Sequence, residues 1–496
     1  MVLRKFALMG CLAAVAGCAG EPPAKPRAAK QVKRTQPGEV ASKQEKPTPP
    51  PLPDATSRSQ QPPPLRQPGV LGDLLKTPEG RETNFYTSAP LPVIDEEKVE
   101  AHGIRKLSGQ HLALYTDLPS SPEVDELPMV FDQAVPQWRD YFEVEKEKAE
   151  KWKIWGYLIK DKQKFVDAGL YPADLPAFPN GFQRGHEFWL YEQPSAYYRR
   201  HLMLHEGTHA AMYHWINGAG PPWYCEGMAE LFGTHAWKDG KLQLGYLPKN
   251  KEEVPDWGRV KLIKDAYAQS RALMLHEVLK LPPDAHKDND AYAWSWAAAA
   301  FFNSHPRYGA EFKKLRHKTQ TLGVDFTKEF LEHFKDDVLP MQTEWQLFVA
   351  NSEYGYDVER NAITVPEARP LPAEGATVEI SAEHGWQSTG FTLEKDVTYK
   401  LAASGRYSLG KTPKDWPCEP GGVTIRYHHG QPLGILLAAV RNDAKPSAPD
   451  ELLKPTPIGL GTDFTPAQAG TLWLKINEHD AEWADNSGKL TVKISK

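Results

Sequence analysis

The stretch Ala196–Ile216, AYYRRHLMLHEGTHAAMYHWI, runs without a proline and carries His205-Glu206-Gly207-Thr208-His209 at its centre. Residues i and i+4 of a helix lie about 40° apart around the axis and one turn along it, so His205 and His209 leave one face together. Two imidazoles so placed can share one tetrahedral Zn2+. Glu206, beside the first histidine, can reach a metal-bound water as general base. A polar helix face with two surface histidines would show the same spacing. Gly207 costs about 1 kcal/mol in a helix interior, which argues for a specific reason to have it there.

A catalytic zinc takes three protein ligands and keeps a position for water, so a third donor is expected on a following element. Seventeen residues after His209 stands Glu226, in Pro221-Pro222-Trp223-Tyr224-Cys225-Glu226-Gly227-Met228-Ala229-Glu230-Leu231-Phe232. The paired prolines suit a helix start, and Glu226 and Glu230 then sit one turn apart on one face. Two solvated glutamates are the alternative.

The two motifs together resemble the gluzincin group of metallopeptidases, especially bacterial peptidase-MA-like domains. The resemblance implies Glu226 as third zinc ligand and Glu230 as a supporting carboxylate, the reverse assignment staying open. It implies hydrolysis of peptide bonds by a zinc-activated water with Glu206 as general base. Tyr292, in Tyr292-Ala293-Trp294-Ser295, stands where that family carries a Y-x-x-S helix and is a candidate oxyanion donor, with Tyr267 and His235 as others by chain position. His201 extends the histidine stripe by one turn and reads as a helix-face residue, and Cys225 as a small buried one.

The flanks agree with an α+β zincin-like domain. Gln110–Thr116, Lys153–Ile159 and Arg184–Tyr191 have strand composition, and Pro122–Val144 has a helical apolar face formed by Leu127, Val130, Phe131, Ala134, Val135, Trp138 and Phe142. Helices are expected over Ser270–Lys280 and Ala291–Ser304.

At the N-terminus, Arg4 and Lys5 precede about a dozen apolar residues, too few to span about 30 Å of hydrocarbon as a helix. They end in Val15-Ala16-Gly17-Cys18, which resembles the lipobox of bacterial lipoproteins. That resemblance implies a signal peptide over 1–17 and lipid on Cys18. With Ala19 and no Asp after it, an outer-membrane or cell-surface location is favoured. Between Pro22 and Pro68 stand 13 prolines among Lys, Arg, Gln, Ser and Thr, a composition that cannot bury enough apolar area to offset its ordering entropy. Residues 18–75 therefore read as a Pro-rich disordered tether.

From residue 375, strand-like runs alternate with turns for about 120 residues, the pattern of a β-sandwich. Its end, from Ile476 to Val492, resembles the calcium-dependent galactophilic lectins of PA-IL type. The matching positions Glu478, Glu482, Asp485 and Asn486 are oxygen donors suited to calcium. Two of them depart from that family's usual Asp and Thr, and its sugar-contacting His-Pro-x-Gln stretch has no counterpart near Cys418. Carbohydrate is thus one expected partner, and a solvated turn the alternative reading of the loop.

The whole is multidomain: the zincin-like metallopeptidase domain over 76–351, a Pro- and Glu-rich linker over 352–374, and an all-β lectin-like sandwich over 375–496. Composition sets the outer limits. The 496 residues are 40% hydrophobic and 25% charged, with 4 cysteines and a net charge of −5, which argues against a polytopic membrane protein, a disulfide scaffold and a general nucleic-acid binder. The expected function is that of a lipid-anchored extracytoplasmic zinc peptidase. A non-catalytic surface binding protein, or a zinc hydrolase of cell-wall amides, would share most of these features.

Overall fold

The structure is a computed structural model that describes residues 90–282, 285, 289–321, 323–411 and 414–496. The expected signal peptide, Cys18 and the tether lie outside the described residues. The fold is mixed α/β, with helices, several β-sheets and a β-rich C-terminal region. Among the described residues no helix is long and apolar enough to cross a membrane.

The first sheet has the order β1-β2-β3-β5-β4, formed by β1 (Arg105–Ser108), β2 (Leu112–Thr116), β3 (Ile154–Ile159), β4 (Gly181–Arg184) and β5 (Glu187–Tyr191). β2, β3 and β5 are parallel and β1 and β4 antiparallel at the edges. The three parallel strands read as nearly continuous apolar runs because both of their faces are covered. The expected single strand over Arg184–Tyr191 is instead the second half of a hairpin. Gly185, at φ +59°, turns the chain between β4 and β5, so Arg184 ends the edge strand.

Helix α1 (Leu127–Phe142) and helix α2 (Ala196–Ile216) pack against one another beneath this sheet. Gly207 supplies the reason for its own presence. A Cβ there would stand 2.7 Å from both the Phe131 and Trp138 rings, so a glycine lets α2 settle onto the aromatic ridge of α1. Ser195 caps α2, its Oγ accepting from Tyr198 N at 3.2 Å, and Asn217 at φ 54° ends it. Helix α3 (Pro222–Gly233) starts at the two prolines. Helix α4 (Arg259–Ala268), helix α5 (Asn289–Ser304) and helix α6 (Val338–Ala350) complete the large core. Gly227 on α3 admits the α5 backbone, since a Cβ would lie 2.7 Å from Ser295 O. The helix expected over Ser270–Lys280 shrinks to a single turn at Leu275–Val278.

Among the described residues the C-terminal region has a five-stranded and a six-stranded sheet that share a second apolar core, together with a two-stranded hairpin. In Tyr399–Ser404 the burial alternates residue by residue, as expected of a strand with one wet face. Leu436–Arg441 is buried throughout because Leu437 and Ala439 turn away from that core and pack with Leu347 of α6, Trp386 and Trp473. Arg441, fully buried, donates from Nη2 to Thr343 Oγ1 on α6 at 2.8 Å and from Nε to Asp450 Oδ2 at 3.2 Å. The stretch expected to be a linker is in part structural. Ser352, Tyr356, Val358 and Ile363 are buried, and Asn361 Nδ2 donates to Asp480 O at 3.2 Å. Apolar residues spaced through its first half outweigh the prolines that follow.

Candidate metal centre

α2 and α3 cross so that the faces carrying His205, His209 and Glu226 meet. Three atoms converge there: His205 Nε2 and His209 Nε2 lie 3.2 Å apart, and Glu226 Oε2 lies 3.4 Å from each. Glu226 Oε2 is buried and makes no hydrogen bond to either ring. Donors bound to one tetrahedral ion at about 2.0–2.1 Å stand about 3.3–3.4 Å from each other, and the sides of this triangle are close to that spacing. These buried His and Glu groups could hold a metal ion. Burial would push the Glu226 carboxyl up, but the two imidazoles beside it hold it well below the usual carboxylate range.

Behind the triangle, the Nδ1 of each ring faces a side chain of α3. His205 Nδ1 faces Glu230 Oε1 at 3.4 Å, and a carboxylate there favours the proton on Nδ1 and leaves the Nε2 lone pair directed at the centre. His209 Nδ1 lies 3.5 Å from Cys225 Sγ. Cys225 thus does more than fill space: it touches the imidazole whose other nitrogen faces the centre. The sequence offered only its place next to Glu226 as a signal.

Glu230 is taken up elsewhere. Arg259, the first residue of α4, donates from Nε to Oε2 and from Nη2 to Oε1, both at 2.9 Å. His201 Nε2 adds a contact at 3.5 Å to Oε1 and the ring is fully buried. In a second trio of possible donors, His201, His205 and Glu230, the carboxylate is already paired with the Arg259 guanidinium. Of the two glutamates, Glu226 has an unpartnered oxygen beside both imidazoles, whereas both oxygens of Glu230 are taken by Arg259. No motif in the sequence pointed to Arg259, which lies 29 residues past Glu230.

Glu206 is buried and points toward the edge strand. A Cβ on Gly181, the first residue of β4, would stand 2.5 Å from Glu206 Oε1, so the strand backbone comes right up to the carboxylate. Burial lifts the Glu206 carboxyl above its ordinary value, against the pull of His205 and His209. Tyr292 on α5 has its ring 5.9 Å from the His205 ring, with the Arg259 guanidinium 5.7 Å from it. Burial first, then the Glu226, Glu206 and Glu230 charges, keep its hydroxyl protonated far above the usual phenol range. His235 does not serve as oxyanion donor. Its Nδ1 lies 2.7 Å from Gly233 O and its Nε2 3.3 Å from Arg200 Nε, so both nitrogens are occupied in the core. Tyr267 packs against the large core.

In the acidic loop expected to bind calcium, Glu478 Oε2 and Asn486 Oδ1 are buried without a hydrogen-bond partner. The carboxylates of Glu478, Glu482 and Asp485 are not gathered within 4.8 Å of one another. Glu482 forms a two-point pair with Arg426, at 2.6 and 2.8 Å, and Asp485 sits beside Gly410. Asn486 donates to Ala382 O at 2.9 Å. Arg426, on a hairpin more than 50 residues upstream, could not be read from the loop itself.

No protein-family model matches the chain. No curated protein matches it either. Among solved structures, the N-terminal domain of EclA, a PllA-like lectin, is similar over 24% of this chain and 93% of its own, with 19% identity and a TM-score of 0.19.

Proposed function

We propose that this chain is a zinc metallopeptidase of gluzincin type. The observation that supports it is the near-equilateral triangle of His205 Nε2, His209 Nε2 and Glu226 Oε2, with sides of 3.2 to 3.4 Å, beside a buried Glu206. Those three residues would hold the ion. When bound, zinc would supply a Lewis acid that polarises a carbonyl and acidifies water at neutral pH.

The remaining work falls to this chain's own groups. β4 is an edge strand whose outer hydrogen-bonding side faces no other strand of its sheet, and an extended peptide can pair with such an edge. Glu206 Oε1 sits against the first residue of that strand, so a peptide laid along β4 would pass its carboxylate. Glu206 takes a proton from the attacking water and returns it to the leaving amine. Burial raises the Glu206 carboxyl above its ordinary value, the direction that favours holding the transferred proton. Tyr292 is the candidate donor to the developing oxyanion.

The test uses the purified chain with and without a zinc chelator against a library of unmodified peptides, read by mass spectrometry. Cleavage that the chelator abolishes and added zinc restores is expected. Binding of peptides without cleavage would favour the non-catalytic surface protein, and release of stem-peptide amides from cell-wall material alone would favour the amide hydrolase. Placement outside the cytoplasm on a lipidated Cys18 belongs to the same proposal. Labelled fatty acid should enter the protein in cells and fail to enter a Cys18→Ser variant.

A further inference from the structure

A separate group of nitrogen and oxygen donors lies in the C-terminal region. The strands Val423–His428 and Gln431–Leu433 form a hairpin whose turn is His429-Gly430, and the hairpin leans on the loop that follows Gly470–Ile476. The His428 and His429 nitrogens and an Asp480 oxygen lie within 4.8 Å of one another. The two rings are 4.0 Å apart between centroids.

Three features mark this cluster as more than a chance gathering of polar groups. Asp480 is 1% exposed, and its Oδ2 is buried without a hydrogen-bond partner, as is His428 Nε2. Burying a carboxylate oxygen and an imidazole nitrogen unpaired is costly, and a bound cation satisfies both at once. His429 at φ +48° and Gly430 at φ +74° form the two-residue turn of the hairpin, and this turn sets His429 beside His428.

The third feature is the bracing behind the donors. The Asn477 side-chain amide donates to His428 O, Gln431 O and Pro432 O at 2.9, 3.2 and 3.0 Å, tying both strands of the hairpin to the loop. Asp480 O accepts from Asp357 N at 2.9 Å and from Asn361 Nδ2. Such support from behind is what a metal site requires of its second layer. Among the charged groups around it, Lys475 has its ammonium over the Trp386 and Trp483 rings, 5.6 and 5.9 Å from their centroids, and forms no ion pair with Asp480. His479 Nδ1 faces Glu353 Oε1 at 2.9 Å.

We infer that His428, His429 and Asp480 form a second metal site, for a borderline divalent cation of which zinc is the type. Two imidazoles and one carboxylate suit that class of ion and not calcium, which prefers oxygen alone. The donors are spread more widely than those at α2, and rotation of the exposed His429 side chain closes the gap. A bound ion would pin the hairpin to the 478–486 loop and, through Asp480, to the 357–361 segment behind it.

The experiment is zinc content per chain, measured on the full chain after equilibration with micromolar free zinc and desalting. The wild type should hold close to two. His205→Ala, which removes a donor at α2, should leave one. Adding His429→Asn or Asp480→Asn to His205→Ala should leave none, and Asn suits the turn because it tolerates the left-handed conformation. A His205→Ala chain without zinc overturns the second site, and so does a zinc that the His205→Ala chain keeps after His429→Asn or Asp480→Asn is added. If His429→Asn alone strips all zinc while His205→Ala still holds one, the second site stands and the α2 centre fails. Thermal melting supplies an independent readout. Added zinc should raise Tm of His205→Ala, and should not do so once His429 is replaced.

Discussion

Arg259 meets both oxygens of Glu230 with two nitrogens at 2.9 Å, and Glu230 in turn stands 3.4 Å from His205 Nδ1. This chain of contacts runs from α4 through α3 to the histidine helix, and it separates the two glutamates that one helix face presents together. Glu230 has a cation already. Glu226 Oε2 is left without a hydrogen-bond partner among the imidazoles.

Arg259→Gln should therefore act at a distance from the metal. It leaves the buried Glu230 carboxylate uncompensated, which costs about 3–5 kcal/mol in stability. It also loosens the orientation of His205, and second-layer losses of this kind weaken metal affinity about 10–100-fold. Chemical denaturation and zinc competition against a fluorescent chelator measure the two effects. Unchanged zinc affinity in a folded variant would show that Arg259 is structural only.

Glu206→Gln is nearly isosteric and touches no ligand atom of the triangle. Zinc content should stay at the wild-type value while peptide cleavage falls by at least about 10²–10⁴-fold, the range set by loss of a positioned base. Cleavage at the wild-type rate would remove Glu206 from the chemistry.

Gly181→Ala tests the approach of β4 to that base. The new Cβ would stand 2.5 Å from Glu206 Oε1, so the carboxylate must swing aside. Zinc content and Tm should be close to wild type, and kcat should drop. A variant with an unchanged kcat would mean that the position of Glu206 against the strand does not matter.

Gly207→Ala probes packing next to the same residue. Alanine gains about 1 kcal/mol of helix propensity, yet its methyl meets the Phe131 and Trp138 rings at 2.7 Å, and overpacking of that kind costs about 1–3 kcal/mol. Net destabilisation is expected in urea unfolding. A stabilised variant would mean that α1 and α2 can separate freely.

His214, near the end of α2, carries a pH dependence. Burial and the neighbouring His186 ring depress its pKa to about 4, and its Nδ1 accepts from Trp152 Nε1 at 3.0 Å, which requires the neutral ring. The folded value lies below the unfolded value of about 6.5. Between those two pH values the unfolded chain binds the extra proton, so stability is present in full above about 6.5 and declines as pH falls toward 4. His214→Gln should flatten that slope, as seen in melting temperatures collected from pH 4 to 7. An identical slope in the variant would assign it to other groups.

Local chemistry was enough to place the helix of His205 and His209, because a helical repeat needs only neighbours in the chain to put two imidazoles on one face. The paired prolines located the start of α3 for the same reason, and alternation marked the C-terminal strands. What remained ambiguous in each case depended on a residue far along the chain. Glu226 and Glu230 are equivalent on one helix until Arg259, 29 residues later, occupies the second of them. Glu482 reads as a free loop carboxylate until Arg426, 56 residues earlier, pairs with it. Gly181 shows its purpose only when the β4 edge reaches Glu206, and Asp480 gains two histidines as neighbours only once the hairpin folds onto its loop. The sequence by itself thus determined the helices α2 and α3 and the face that His205 and His209 share. The tertiary structure decided which charges are already paired and which are left to hold an ion, because pairing of buried charges depends on distance in space and not on spacing along the chain.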